Sequence, residues 1–224
     1  YRLAITQLFP YFAYLMLYYK LNREEGDSMS YDEIKKFIYE NNGIYFTKKL
    51  KEEGIDKYYI NKLLSDGIIE RYEPGVYLRN DIFEDKLYIL QHKYPSIIYS
   101  YNTALYLHHL TERTPDRYDV TVYSGYNTNH LPSNLDFHFI KKENHPLGEI
   151  TLKTNYGYDV RTYDLERITC DIISSKNTNI EKEQVNKYLR KVFLENKLDS
   201  IKLIDYAKKL GCKKKVRQVI DIFI

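Results

Sequence analysis

The sequence predicts an α+β fold in two parts, and three observations carry the prediction. Between Ser30 and Leu78, cap and turn residues divide the chain into three short helices followed by a hairpin. From Ile97 to Tyr163, short β-branched and aromatic runs alternate with Gly, Asn and Pro clusters, with one helix among them. The C-terminal segment repeats apolar side chains at helical spacing with cations between them. The expected architecture is an N-terminal winged helix-turn-helix over residues 29–80. A C-terminal domain over residues 81–224 follows, a small β-sheet with packed helices and a helical C-terminus.

Ser30 caps the first helix, and Glu33 three residues on completes a capping box. Ile34, Phe37 and Ile38 share its apolar face, and Asn41-Asn42-Gly43 closes it. After Tyr45 and Phe46, Thr47 is expected to cap a second helix that carries Leu50 and ends at Gly54. Asp56 caps the third, Lys57 to Ser65, and Gly67 stops it. That phase puts Ile60, Leu63 and Leu64 on one face and Lys57, Tyr58, Asn61 and Lys62 on the other. Ile68 to Tyr72 reads as a strand, Glu73-Pro74-Gly75 as a turn, and Val76 to Leu78 as the returning strand. Ile34, Phe37, Ile60, Leu63, Leu64 and Val76 form the expected core.

A helix between Asn80 and Pro95, carrying Phe83, Leu87, Tyr88 and Leu90 or Gln91, joins the two parts. Ile97 to Tyr99 is a short strand and Tyr101 to Leu110 a helix. Strands are expected at Tyr118 to Tyr123, Phe137 to Lys141, Ile150 to Thr154 and Tyr158 to Tyr163. Asp164 caps a helix running to about Ile173, in which Glu166 or Asp171 pairs with Arg167. Val185, Tyr188, Leu189, Val192 and Phe193 make one apolar stripe; Ile201, Ile204 and Ala207 a second; Val216, Val219, Ile220 and Phe223 a third.

The length of 224 residues suits one large or two small domains. A net charge of +3 is too small to announce nucleic acid, yet residues 176–224 hold 13 Lys and Arg against 6 Asp and Glu. That surplus would hold DNA backbone, RNA or an acidic partner with strong salt dependence, or simply solvate a helical bundle. Cys170 and Cys212 lie far apart in sequence with no Cys-x-x-Cys, so no zinc site is expected and a reducing cytoplasm fits. Residues 1–19 are apolar and aromatic, but Pro10 interrupts them and no small-residue cleavage site follows. Arg23 to Ser28 can be encoded by a purine-rich string of the ribosome-binding type. Met29 is therefore the expected start and residues 1–28 a translated leader or non-native extension, with a monotopic membrane segment as the competing reading.

A helix with this exposed face suits the major groove, where Asn bonds adenine bidentately and an aromatic ring meets a thymine methyl. Tyr58 and Asn61 are the expected base readers, with Lys57 and Lys62 beside them in the groove and near phosphates. Lys48 and Lys49 are expected at phosphates, with Lys51 nearby, and Arg71 on the wing at backbone or minor groove. The solvated sides of two small helices would look similar residue by residue; the Pro-Gly wing joined to that helix spacing favours double-stranded DNA. Enzyme signatures stop short. Ser124-Gly125 with Asp136-Phe137-His138 reverses the Gly-Ser order of a nucleotidyltransferase and replaces its second carboxylate. A nuclease site starting from Asp119 or Asp136 lacks its lysine after Glu149, the histidines show no ligand spacing, and no Gly-rich phosphate loop occurs. No enzyme activity and no cofactor are expected; the alternative is a nucleic-acid-modifying enzyme that positions its substrate with the winged helix.

Three stretches, SYNTALYLHHLTERTP at 100–115, YDLERITCD at 163–171 and LIDYAKKL at 203–210, resemble in order and spacing the blocks of the AbiEi antitoxins of type IV abortive-infection toxin-antitoxin systems. The resemblance covers Met29 to the C-terminus. It implies a cytoplasmic phage-defence protein that represses its own operon by binding inverted repeats in promoter DNA through the winged helix. It also implies that the C-terminal domain opposes a nucleotidyltransferase-like toxin without a stable complex.

Overall fold

A computed structural model describes residues 29–111, 113–175 and 180–223. The leader and membrane-segment readings of residues 1–28 fall outside it. The fold is α+β, with two sheets, and the chain divides between Glu84 and Asp85 into two compact units, four residues beyond the boundary expected from sequence.

The first unit begins with helix α1 (Tyr31–Glu40), whose Ser30 and Glu33 form the reciprocal capping box. Strand β1 (Ile44–Phe46), helix α2 (Thr47–Glu52), helix α3 (Lys57–Ser65) and strands β2 (Ile69–Glu73) and β3 (Val76–Arg79) follow. β3 lies between β1 and β2 and pairs antiparallel with both. β1 is absent from the sequence reading because three residues give too short a run to show alternation, and all three are buried. Thr47 does not cap α2. Phe46 holds the capping position, and its ring offers no acceptor; the Thr47 amide donates to the Gly75 carbonyl at the hairpin tip (2.9 Å). Ile34, Ile38, Leu50, Ile55, Ile60, Leu63 and Ile69 are buried together, each contributing on the order of 1.5–3 kcal/mol. Gly43, between α1 and β1, adopts φ +85°, and a Cβ there would sit 2.6 Å from Ile82 Cγ1.

The second unit opens with helix α4 (Lys86–Lys93). Asp85 caps it, accepting from the Tyr88 amide (2.9 Å), so the helix begins after Phe83, which is left 76% exposed rather than lying on it. Strand β4 (Ile98–Tyr99), helix α5 (Tyr101–Leu107), strands β5 (Tyr118–Tyr123), β6 (Leu135–Ile140), β7 (Glu149–Lys153) and β8 (Asp159–Tyr163), and helix α6 (Leu165–Ser174) come next. Helices α7 (Lys182–Leu194), α8 (Ser200–Lys209) and α9 (Lys213–Phe223) complete it. The sheet order is β6-β5-β4-β8-β7, parallel at β6/β5 and β4/β8 and antiparallel elsewhere.

Alternation along the strands divides the sheet into two faces. Tyr99, Val120, Val122, Leu135 and Val160 meet Leu87 and Leu90 of α4 on one face. Ile98 and Tyr163 meet α5, α6 and α7 on the other, through Ala104, Leu105, Ile168, Ile172, Tyr188, Leu189 and Val192. α8 and α9 add a further layer on α6, built on Cys170, Leu203, Ala207, Cys212 and Val216. The apolar stripe of α8 is therefore Leu203 and Ala207. Asp199 accepts from the amides of Ile201 and Lys202, which puts Ile201 in the capped first turn, 85% exposed. No described helix is long and apolar enough to cross a membrane.

Candidate nucleic-acid interface

Four of the expected contact residues, Lys57, Tyr58, Asn61 and Lys62, lie on α3. Asp56 caps it through the Tyr59 amide (3.1 Å), and Gly67 ends it with φ +66°. Ile60 and Leu63 are buried, which turns the arc of Lys57, Tyr58, Asn61, Lys62 and Ser65 outwards. Lys57 and Asn61 are exposed, and Tyr58 is 66% exposed with its ring set edge-on to Tyr59 (5.3 Å between centroids).

Lys62 differs from its neighbours. It is half-buried, with its ammonium 3.9 Å from the centroid of the Tyr31 ring on α1. Tyr31 also stacks on Tyr59 and donates its hydroxyl to Asp66 Oδ2 (2.6 Å). Burial and the Asp66 carboxylate push its pKa up to about 12. Lys62 thus secures α3 against α1, a role that helix phase alone does not reveal. Ser65, on the same outward arc, gives its hydroxyl to the Lys62 carbonyl (2.8 Å).

Lys48 and Lys49 are exposed on the first turn of α2. The bond from the Thr47 amide to Gly75 sets that turn beside the β2–β3 tip. Arg71 is exposed on β2, with Nη2 3.3 Å from the Tyr77 hydroxyl and the guanidinium 5.6 Å from the Tyr77 ring centroid. A bulge between Arg71 and Glu73 shifts the register before the turn. The unit as a whole is not cationic: residues 29–84 hold 9 Lys and Arg against 11 Asp and Glu. Any attraction to phosphate rests on where its cations lie rather than on net charge.

The second unit carries a buried ionic cluster of which the sequence shows only a part. Arg167, fully buried, directs Nε at both oxygens of Asp171 (3.0 Å each) and Nη1 at the carbonyls of Asn144 (2.8 Å) and Leu147 (2.6 Å). Its guanidinium lies 4.1 Å from the Tyr163 ring centroid. Burial raises the Asp171 pKa against the opposing pull of Arg167. Asp164 caps α6, and Glu166 accepts from the Asp199 amide (2.8 Å); both also bind Lys202, at 3.0 and 3.3 Å. These partners join α6, α8 and the 142–148 loop into one framework. Gly148 lies at its centre with φ +80°, where a Cβ would come within 2.7 Å of Arg167 Cβ.

The carboxylates weighed for metal chemistry are otherwise engaged. Asp119 is bound to His138 Nε2 (2.7 Å), the Tyr101 ring stacks on that imidazole (3.9 Å), and Asp136 accepts from Arg117 Nε (2.8 Å). Tyr101 achieves this stacking from a left-handed backbone, φ 44°. Among the described residues no group of three or more His, Cys, Asp or Glu is arranged to hold a metal ion. No family model matches the chain. No curated protein matches it either.

Proposed function

We propose that the chain is a DNA-binding antitoxin and transcriptional autorepressor of the AbiEi kind, acting in the bacterial cytoplasm as part of a type IV abortive-infection operon. Its first unit acts as a winged helix that reads inverted repeats in the operon's own promoter, with α3 as recognition helix and the β2–β3 hairpin as wing. The observation that carries this reading is the sidedness of α3. Ile60 and Leu63 are sealed in the core while Lys57, Tyr58 and Asn61 face outwards, an adenine-reading amide next to an aromatic ring and a cation. Lys48 and Lys49 beside the hairpin tip supply phosphate contacts, and Arg71 contacts backbone or minor groove.

The antitoxin role is supported by the three resembling blocks, which fall on α5, α6 and α8 of the second unit and contribute to its core. That unit opposes a nucleotidyltransferase-like toxin without a stable complex.

The test is binding of the chain to DNA upstream of its own gene, beside a scrambled duplex, at two salt concentrations. Preference for the promoter should survive the higher salt. Asn61→Ala should relax that preference at a cost of about 1–3 kcal/mol, whereas Lys48→Ala should weaken both duplexes alike. Equal losses on both duplexes for Asn61→Ala would contradict base reading, and equal, salt-labile binding by the unaltered chain would overturn the repressor.

A further inference from the structure

Cys170 and Cys212, far apart in sequence, meet in the layer where α8 and α9 pack on α6. Both are free and buried in the same apolar cluster. Leu203, Ala207 and Val216 surround them, and Cys170 Sγ lies 3.8 Å from the Leu203 carbonyl.

The two sulfurs are not equivalent. Cys212 is the residue on which α9 starts, its carbonyl accepting from the Val216 amide (3.1 Å), so its sulfur lies at the positive end of an eleven-residue helix whose first turn is Lys213, Lys214 and Lys215. The neighbouring Cys170 thiol is the main cause lowering the Cys212 pKa, and the Cys212 thiol together with burial raises that of Cys170. Of the two sulfurs, Cys212 is thus the one that gives up its proton more readily. Cys212 directly follows exposed Gly211 in the α8–α9 turn.

We propose that Cys170 and Cys212 are a peroxide-responsive dithiol that closes to an intramolecular disulfide, tying the start of α9 to α6. Hydrogen peroxide transfers one oxygen to the Cys212 thiolate, giving a sulfenic acid and hydroxide. The Cys170 sulfur then displaces that oxygen, the S–S bond forms, and the Cys170 proton leaves in water. In total, two thiols give up two electrons and two protons, and one peroxide becomes two waters. The proposal does not depend on the DNA-binding reading, since it rests on the second unit alone.

The test is a thiol count and non-reducing peptide map of the full chain after hydrogen peroxide treatment under native conditions, free thiols being blocked before denaturation. The expected result is a fall from two titratable thiols to none, a Cys170–Cys212 linked peptide pair, no covalent dimer, and full recovery of both thiols with dithiothreitol. Two thiols persisting after the methionines have oxidised would overturn the proposal. So would oxygen added without a link, or a link formed only between chains. In Cys170→Ser with unchanged circular dichroism, Cys212 should accumulate as a sulfenic acid that dimedone traps; absence of that adduct would overturn the assignment of Cys212 as the attacking sulfur.

Discussion

Arg167 shows at residue scale how much of a site follows from spacing and how much from the fold. Its pairing with Asp171 is readable from the i, i+4 interval on α6. Its bonds to the carbonyls of Asn144 and Leu147 are not, because those atoms come from a loop whose path depends on Gly148. Arg167→Met would keep most of the volume while leaving Asp171 buried without its cation and two carbonyls without a donor. A loss of about 3–5 kcal/mol is expected in urea unfolding; a loss under 1 kcal/mol would show that the cluster contributes little. Two half-buried histidines give a pH prediction. Burial lowers the pKa of His108 and of His145, whose Nε2 atoms lie 2.7 Å from the Tyr163 carbonyl and 3.1 Å from the Thr121 carbonyl. A cationic group depressed on folding binds its proton more readily in the unfolded chain. Its contribution to stability is therefore complete above the unfolded pKa near 6.5 and is lost as pH falls from there towards the folded value. The unfolding free energy from urea titration should drop between pH 7.5 and pH 5.5, by no more than about 1.4 kcal/mol per pH unit for each imidazole. The double variant His108→Gln, His145→Gln should show a flatter profile over that interval.

At the scale of elements, legibility followed the caps. Ser30, Asp56 and Asp164 each fix a helix start in the sequence, and the three helices begin where those side chains bind the third amide on. Phase is not fixed by spacing alone. In α8, Ile201, Ile204 and Ala207 and the alternative Leu203 and Ala207 both satisfy helical spacing, and only the Asp199 cap together with packing on α6 selects the second. β1 and the coming together of Cys170 with Cys212 were out of reach for a related reason. Each depends on pairing with segments thirty or more residues away, which no local period encodes. The phase of α8 is testable by two substitutions. Leu203→Ala should cost about 2–5 kcal/mol because it empties a position 1% exposed. Ile201→Ser, at a position 85% exposed, should change stability by no more than about 0.5 kcal/mol. Comparable losses from the two would mean that the helix is rotated from the orientation described.

For the whole molecule, charge is divided in a way that makes salt dependence diagnostic. The first unit has more acids than bases over residues 29–84, while the excess of cations lies in residues 176–224. If the first unit alone holds DNA, the phosphate contacts per chain are those of Lys48, Lys49, Lys57 and Arg71, all exposed. Four contacts give a slope of log K against log salt of about −3.6, since each neutralised phosphate adds about −0.9. If the C-terminal helices also lie along the backbone, exposed Lys214, Lys215 and Arg217 on α9 would each add about −0.9 to that slope. Reversing Lys214 and Arg217 to Glu separates the two arrangements. An unchanged slope near −3.6 per chain would confine DNA contact to the first unit. A slope that begins steeper than about −5 and becomes shallower on reversal would instead place α9 against the backbone. Such a change would appear equally on promoter and scrambled duplexes, because phosphate contacts carry no base information, whereas the effect of Asn61→Ala should be confined to the promoter.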